Sequence, residues 1–165
     1  MSNKPVDHQD HHEAIETVRH LIKGIDTAML TTVTSEGLVS RPMKTQEVEF
    51  DGDLWFLTKK DTNKYDELKD NPEVNVSYVG KSYVSVRGRA ELVTSPEKVK
   101  EYWNAAYAKF LDTTPDDPNL VLIKVEPDTV EYWETGSISK MAQRFFHKLT
   151  GKGKEDVNLN STVKL

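Results

Sequence analysis

The spacing of hydrophobic residues changes from helical to strand-like early in the chain. Residues 12–23 carry apolar side chains three and four positions apart, which places them on one face of a helix. With the next apolar residue after this segment, these side chains are Ile15, Val18, Ile22 and Ile25. Residues 27–34 and 38–43 are rich in β-branched and apolar residues, and the short turn between them ends in Gly37. The pattern predicts one helix followed by a β-hairpin in which Gly37 has a positive φ.

Turn signals divide the next part of the chain. Asp51-Gly52-Asp53 separates residues 48–50 from residues 54–58, which predicts a second hairpin. Residues 63–70 then have the composition of a short helix, and Asn71-Pro72 ends it.

Strand-like segments with one intervening helix occupy most of the second half. The predicted strands are residues 74–79, 83–93, 120–125 and 129–133. Ser95-Pro96 predicts the start of a helix that continues to about Leu111. Pro127 cannot donate to a central ladder, so it is expected to separate the last two strands. A terminal helix is predicted over residues 137–149.

These elements predict a mainly β protein of the α+β class. Most neighbouring strands are joined by short turns, and the helical interruptions are brief, so the strands are expected to pair antiparallel. We therefore predict a small antiparallel barrel flanked by helices rather than a doubly wound parallel sheet. The 165 residues fit a single domain over residues 13–150, with a flexible N-terminus at 1–12 and a polar tail at 151–165.

The composition argues against several classes of function. The formal net charge of -5, from 22 basic and 27 acidic residues, disfavours nucleic acid as a partner. Because the chain has no cysteine, disulfides and thiolate chemistry are excluded. No apolar run approaches the ~20 residues that span a bilayer, and the N-terminus lacks a secretory signal. A cytoplasmic protein without membrane contact is expected.

Polar residues at the ends of two consecutive predicted strands suggest a binding site. Arg41 offers a planar fork of donors that suits a phosphate or a ring carbonyl. Thr58, Thr62 and Lys64 supply hydroxyls and an ammonium group roughly twenty positions later. Either cation alone could equally be a solvated surface charge, but Pro42 after Arg41 indicates a sheet edge. Together these residues predict a site for a phosphorylated, ring-bearing ligand.

Other candidate residues have simpler structural interpretations. Trp133, beside Tyr132 in the last predicted strand, is a third site candidate, although a tryptophan there is more often a core residue. His8, His11 and His12 lie in a polar terminus without a scaffold, so no metal site is predicted. The chain has no standard nucleotide-binding or hydrolase signature, and no catalytic acid, base or nucleophile is assigned.

Four segments, in this order, resemble the pyridoxamine 5'-phosphate oxidase-like split-barrel flavoproteins, and more narrowly their general stress protein 26 type. The segments are Ser40-Arg41-Pro42-Met43, residues 51–58, Thr62-Asn63-Lys64 and Val130-Glu131-Tyr132-Trp133. The resemblance covers roughly residues 13–146 and depends on order and spacing. It implies a six-stranded antiparallel split β-barrel with flanking helices. It also implies a homodimer whose flavin sites lie between the subunits.

The resemblance implies FMN as the cofactor, with FAD as the alternative, and assigns positions around it. The residues that would border the isoalloxazine ring are Arg41, Pro42, Met43 and Gln46. Leu57 and Thr58 would approach the ring and the ribityl-phosphate end. The residues that would hold the phosphate are Thr62, Asn63 and Lys64. Trp133 would reach the flavin from the opposite subunit.

Departures from the oxidase pattern limit the functional expectation. Asn63 and Gln46 stand where the oxidases carry an arginine and a lysine, which removes two positive charges. The segment after Trp133 lacks the residues that grip the vitamin phosphate, so pyridoxamine phosphate oxidase activity is not expected. We expect a stress-response oxidoreductase with a nicotinamide or another small molecule as redox partner. The alternatives are a non-catalytic module that sequesters or senses flavin, and a haem- or deazaflavin-binding relative.

Overall fold

The computed structural model describes residues 8–46, 50–134 and 160–164 as an antiparallel sheet flanked by helices. The helices are α1 (His8–Ile22), α2 (Asn63–Asp70), α3 (Pro96–Tyr102) and α4 (Ala105–Leu111). The strands are β1 (Thr27–Thr34), β2 (Gly37–Lys44), β3 (Leu54–Lys59), β4 (Glu73–Val79), β5 (Ser82–Val93), β6 (Leu120–Glu134) and β7 (Asn160–Lys164). No helix in these ranges is long and apolar enough to cross a membrane.

The sheet is curled so that its two end strands meet. The strand order is β2-β1-β4-β5-β6-β3, and β7 pairs with the second half of β6. Although β2 and β3 stand at opposite ends of this order, they contact each other. The predicted six-stranded antiparallel split barrel is therefore confirmed, and its split lies between β2 and β3. The first predicted hairpin is also confirmed, since β1 pairs with β2 and Gly37 has a φ of 119°.

The main core fills the inside of this curl. The register aligns Leu30, Val76, Val86 and Val130 across four neighbouring strands, and all four are fully buried. Helix α1 adds the buried Val18 to the same cluster. A second cluster fills the space between the outer face of β3 and β6 and the helices α3 and α4. Its buried members are Leu57, Val99, Tyr107, Leu120 and Leu122.

The helix expected from Ser95 to about Leu111 is two helices, so the single-helix prediction is wrong. The start is as predicted, because the Ser95 hydroxyl accepts a hydrogen bond from the Lys98 backbone N–H at 3.4 Å. Asn104 then begins α4, since its side-chain oxygen accepts from the Ala106 N–H at 2.9 Å. The apolar residues of α3 and α4 pack into the same second cluster, so the spacing of apolar residues in the sequence did not reveal the break between the helices. Asparagine, a favoured N-cap residue, was the available signal.

The two strands expected on either side of Pro127 form one strand, β6, so the predicted break is wrong. The pairing of β5 with β6 shifts between Arg87 and Gly88, and Gly88 lies opposite Pro127. Such a bulge accommodates proline because the ladder is already interrupted there. A β-carbon on Gly88 would lie 2.3 Å from the Glu126 carbonyl oxygen. Glycine is therefore required at this position of β5.

The predicted hairpin around residues 51–53 differs from the observed pairing of β3. Within the described residues, β3 pairs with β6, while Phe50 lies outside the strands and is buried in the main core. Residues 47–49, most of the other predicted strand of that hairpin, lie outside the described residues. So does the terminal helix expected at 137–149.

Candidate functional site

The predicted site residues lie on both sides of the split in the barrel. Residues 41–43 are on β2, and residues 57–58 are on β3. The turn after β3 leads directly into α2, which begins with Asn63 and Lys64. Here, the seam means the region bounded by β2, β3 and the first turn of α2. It brings two segments that are distant in sequence to adjacent edges of the sheet.

The Arg41 side chain forms hydrogen bonds to two residues at one end of the barrel. Its Nη1 donates to Glu67 Oε2 at 2.6 Å, and its Nη2 donates to Thr32 Oγ1 at 3.1 Å. Thr32 is fully buried and donates to the same Glu67 oxygen at 2.8 Å. The Arg41 and Glu67 side chains are only 17% and 20% exposed. We call Arg41, Thr32 and Glu67 the Arg41 cluster. It holds the guanidinium of β2 against α2.

Glu67 was not among the residues predicted from the sequence. Burial raises the pKa of its carboxyl, but the hydrogen bonds from Arg41 and Thr32 and the charges of Arg41 and Lys64 outweigh this effect. The pKa of Glu67 therefore lies below its ordinary value, and the side chain is a carboxylate at neutral pH. Its position three residues after Lys64 places both on one face of α2. That spacing was the only sequence signal, because the contact with Arg41 comes from a distant strand.

Lys64 is close enough to Arg41 for their charges to interact. Burial, followed by repulsion from Arg41, lowers the pKa of the Lys64 ammonium, and attraction to Glu67 offsets part of this shift. Within the described residues, the Lys64 ammonium forms no ion pair. Arg41, Lys64 and Glu67 together carry two positive charges and one negative charge. The α2 end of the seam therefore carries a net positive charge and is partly shielded from solvent.

The turn before α2 is anchored, but its threonine does not cap the helix. Thr62 Oγ1 donates to the Lys59 carbonyl at 2.7 Å, and Thr62 forms no side-chain cap at the start of α2. The backbone N–H of Asp61 donates to the Asn119 side-chain oxygen at 3.2 Å, which ties the turn to the segment before β6. Asn63 is exposed at the first helical position.

Two predicted site residues carry buried polar atoms without a hydrogen-bond partner among the described residues. These atoms are Thr58 Oγ1, on a strand residue that is 1% exposed, and Gln46 Nε2. An unpaired buried polar group costs about 1–3 kcal/mol, so such atoms call for a ligand or water partner. A flavin offers ribityl hydroxyls and ring carbonyl and nitrogen atoms, which can pair with a threonine hydroxyl and an amide. The donor set therefore fits this cofactor.

Gln46 lines a recess at the other end of the seam from α2. The recess has a volume of about 380 Å³ and lies beside the start of β3, whereas α2 follows the end of β3. This volume lies in the range of roughly 300–1,000 Å³ that is usual for small-molecule sites. Trp55 lines the recess and stacks on Tyr102, with ring centroids 4.7 Å apart. Only an elongated ligand could contact both Gln46 and Lys64.

The three apolar residues predicted for the site have different environments. Pro42 is exposed and lies opposite Met29 on the outer face of the sheet. Met43 is 1% exposed within the main core, and Leu57 is 1% exposed within the second cluster. Met43 and Leu57 therefore support the two edges of the seam from within the protein.

Trp133 belongs to the outer face of the sheet rather than to the Arg41 cluster. The register places it opposite Tyr83, and Tyr83 in turn lies opposite Val79. Trp133 is half-buried, while Tyr83 is 47% and Val79 is 66% exposed. We call Val79, Tyr83 and Trp133 the outer apolar row. Within one protomer, this row and the side chain of Arg41 lie on opposite faces of the sheet.

Comparison with known proteins assigns this architecture to a family. Residues 13–156 match the family described as "Pyridoxamine 5'-phosphate oxidase like". The chain belongs to this family. General stress protein 26 of Bacillus subtilis (strain 168) is 26% identical over 142 residues, which cover 82% of this chain and 90% of that relative. The resemblance inferred from short segments is therefore confirmed over most of the chain.

Solved structures of general stress proteins share the fold. General stress protein 26 from Bacillus anthracis str. Sterne has a TM-score of 0.64 at 30% identity, covering 73% of this chain and 93% of that chain. The general stress FMN/FAD binding protein from Xanthomonas citri has a TM-score of 0.65 at 27% identity, covering 76% of this chain and 92% of that chain. The curled sheet is thus a split barrel of the pyridoxamine 5'-phosphate oxidase-like type.

The site residues predicted from the sequence do not all lie in one place in the structure. Arg41 and Lys64 both lie beside Glu67 at the α2 end of the seam, and Gln46 lies at the recess end. Trp133 lies on the outer face and does not meet them within one protomer. Glu67 and Thr32, which sequence reasoning missed, complete the surroundings of Arg41.

Proposed function

We propose that this chain is a homodimeric flavoprotein that binds FMN, or FAD in its place, along the seam. The observation that carries the proposal is the position of Arg41 and Lys64, both beside Glu67, at one end of the seam. At the other end lies Gln46 Nε2, which has no hydrogen-bond partner among the described residues. This arrangement suits a ligand with an anionic group at one end and a polar ring at the other. Membership of the family, and the FMN/FAD binding protein of Xanthomonas citri among its relatives, support flavin as that ligand.

The flavin phosphate would lie at the α2 end. Arg41 and Lys64 repel each other, and this repulsion contributes to the lowered pKa of Lys64. An anionic phosphate beside both cations would replace repulsion with attraction and form charge-assisted hydrogen bonds. Thr62 and Asn63 would add a hydroxyl and an amide from the adjoining turn.

The ribityl chain and ring would extend toward the recess. Thr58 Oγ1 and Gln46 Nε2 would gain the hydrogen-bond partners that they lack within the described chain. Met43 and Leu57, both buried, would support the strands on either side of the ring. When bound, a flavin supplies the capacity to accept and release one or two electrons. The role of the chain is to bind the flavin, orient it and limit its contact with water.

The outer face of the sheet supports the proposed homodimer. The outer apolar row places three large side chains side by side across β4, β5 and β6, and two of them are more than 40% exposed. Contiguous apolar surface of this kind is typical of interaction sites. A second copy packed on this face would bury Tyr83 and Trp133 at the interface between the subunits.

The proposed activity is that of an oxidoreductase with a nicotinamide or another small molecule as redox partner. A second candidate is a module that sequesters or senses flavin without turnover. The observation that favours it is the weak positive charge of the site, because Glu67 neutralises part of the charge of Arg41. The neutral Gln46 and Asn63 act in the same direction.

Two measurements test these candidates. The purified protein is titrated with FMN and with FAD while flavin fluorescence is followed. Saturable binding of one flavin per chain supports the proposed cofactor, and no binding at tens of micromolar contradicts it. The flavin-loaded protein is then mixed with NADH or NADPH and an electron acceptor. Steady turnover supports the oxidoreductase, whereas reversible flavin exchange without turnover supports the binding module.

A further inference from the structure

We infer that Glu67 sets the charge of the phosphate end of the seam and thereby the preference of this protein between flavins. The inference rests on the proposed flavin site. Glu67 weakens the advantage that the dianionic phosphate monoester of FMN would otherwise have over the phosphate diester of FAD. Glu67 is therefore a specificity-determining residue.

Two hydrogen bonds fix the position of the Glu67 carboxylate in the site. Its Oε2 accepts hydrogen bonds from Arg41 at 2.6 Å and from the fully buried Thr32 at 2.8 Å. Turning the carboxylate away would leave both donors without this acceptor, at a cost typical of unpaired buried groups. Glu67 is therefore expected to stay in place when a ligand binds, rather than to be displaced by it.

The net charge of the three ionised side chains at this end of the seam would balance one negative charge on a ligand. Arg41 and Lys64 supply two positive charges, and Glu67, which interacts with both, removes one. One net positive charge remains at the place proposed for the phosphate. Because all three groups are partly desolvated, each unit of charge acts more strongly there than in bulk water.

The flavins form a natural charge series against which this matching can be measured. A phosphate monoester such as that of FMN carries about −1.5 to −2 near pH 7, because its second pKa is about 6. Each phosphate in the pyrophosphate of FAD is a diester-like group with one negative charge, and riboflavin has no phosphate. FAD therefore also carries about two negative charges, but they are spread over two groups, and only the phosphate nearest the site brings its single charge there. A site with one net positive charge matches that single charge and balances the more highly charged FMN phosphate only in part.

The test is the Glu67→Gln variant titrated with riboflavin, FAD and FMN at pH 7.5 and low salt, with fluorescence quenching as the readout. The variant keeps the size of the side chain and an oxygen acceptor for Arg41 but removes the charge. We expect FMN to bind about tenfold more tightly than to the wild type, the size expected for one unit charge nearby in a partly solvated site. The gain for FAD should be smaller, and riboflavin should be unchanged.

Asp66→Asn is the matched control. Asp66 is an exposed carboxylate next to Glu67 on α2, so this variant changes the net charge equally without touching Arg41. It should leave all three affinities within about twofold of the wild type, because exposed charges are well screened. Glu67→Ala serves as a second variant, and a melting curve verifies that each protein is folded at the titration temperature.

The outcomes separate the inference from the proposed function. Weaker FMN binding by Glu67→Gln would overturn the inference, since it would mean that Glu67 only orients Arg41. Equal changes for riboflavin and FMN would also overturn it, because the effect would not depend on phosphate charge. If the wild type binds none of the three flavins, the proposed function itself fails.

Discussion

The backbone of Gly88 lies against the backbone carbonyl of Glu126 where β5 and β6 shift register, with room for a hydrogen but not for a methyl group. A β-carbon on Gly88 would lie 2.3 Å from the Glu126 carbonyl oxygen. Both groups belong to backbone in the long central strand pair, so neither can move without disturbing the ladder. The bulge that keeps Pro127 within β6 therefore depends on this glycine.

Gly88→Ala should lower the free energy of unfolding by about 1–3 kcal/mol, because overpacking at a fixed backbone contact forces local shifts. The measurement is a urea unfolding curve. Glu91→Ala, at an exposed position on the same strand, should change stability by less than about 0.5 kcal/mol. Equal stability of Gly88→Ala and wild type would show that β6 can move away from β5 at low cost.

Lys64→Ala should weaken FMN binding by about 1–3 kcal/mol if the ammonium makes a charge-assisted contact with the phosphate. Riboflavin, which lacks the phosphate, should bind equally well to variant and wild type. Lys69→Ala, on the same helix but exposed, is the control that removes one positive charge elsewhere. The readout is a fluorescence titration. An unchanged FMN affinity would remove Lys64 from the phosphate site.

Glu67 should make stability depend on acid pH. Its pKa in the folded protein lies below the ordinary value of 4.5 because of Arg41, Thr32 and Lys64, despite burial. Ionised Glu67 therefore stabilises the fold fully above pH 4.5, and this contribution is lost as the pH falls through the lower folded value. Glu67→Gln should be less stable than wild type at pH 7 by about 1–3 kcal/mol, and the difference should shrink below pH 4.5.

Urea midpoints at several pH values measure this difference. Asp66→Asn, which alters an exposed acid on the same helix, provides the reference curve. A difference between wild type and Glu67→Gln that stays constant from pH 7 to strongly acidic pH would contradict the assigned charge of Glu67.

Tyr83→Glu should dissociate the proposed homodimer, because it places a charge at the centre of the outer apolar row. The sedimentation coefficient of the variant should be that of a monomer, with its circular dichroism spectrum unchanged. Phe110→Glu is the matched control, since Phe110 is similarly exposed at 46% but lies on α4 and outside the outer apolar row. A Tyr83→Glu protein that remains dimeric would show that the subunits meet elsewhere.

Several features of the fold could be predicted from local sequence because they depend on neighbouring residues. Alternating burial along β4 and the glycine at the first hairpin are examples, since side-chain direction and turn geometry are properties of a few consecutive residues. The break at Asn104 and the bulge at Gly88 were missed. The apolar stripe of the helical segment continues past Asn104, so it hides the break. The bulge at Gly88 depends on how two strands that are distant in sequence pair.

For the candidate site, the sequence identified Arg41 and Lys64 by their chemistry but could not reveal Glu67. Arg41 and Glu67 are 26 residues apart and meet only because α2 packs against the end of the barrel. A carboxylate on a charged helix looks like an ordinary solvated residue until its partner is known.

The sequence by itself determined the kind of elements, the buried face of each strand and the residue types available for binding an anion. Only the tertiary structure decided that β3 pairs with β6, that β2 and β3 meet at a seam, and that Glu67 neutralises part of Arg41. The physical reason is that periodicity reports whether a side chain is buried, not against which partner. Which residues come into contact depends on how all the strands pair and how the sheet closes, and no short segment of sequence contains that information.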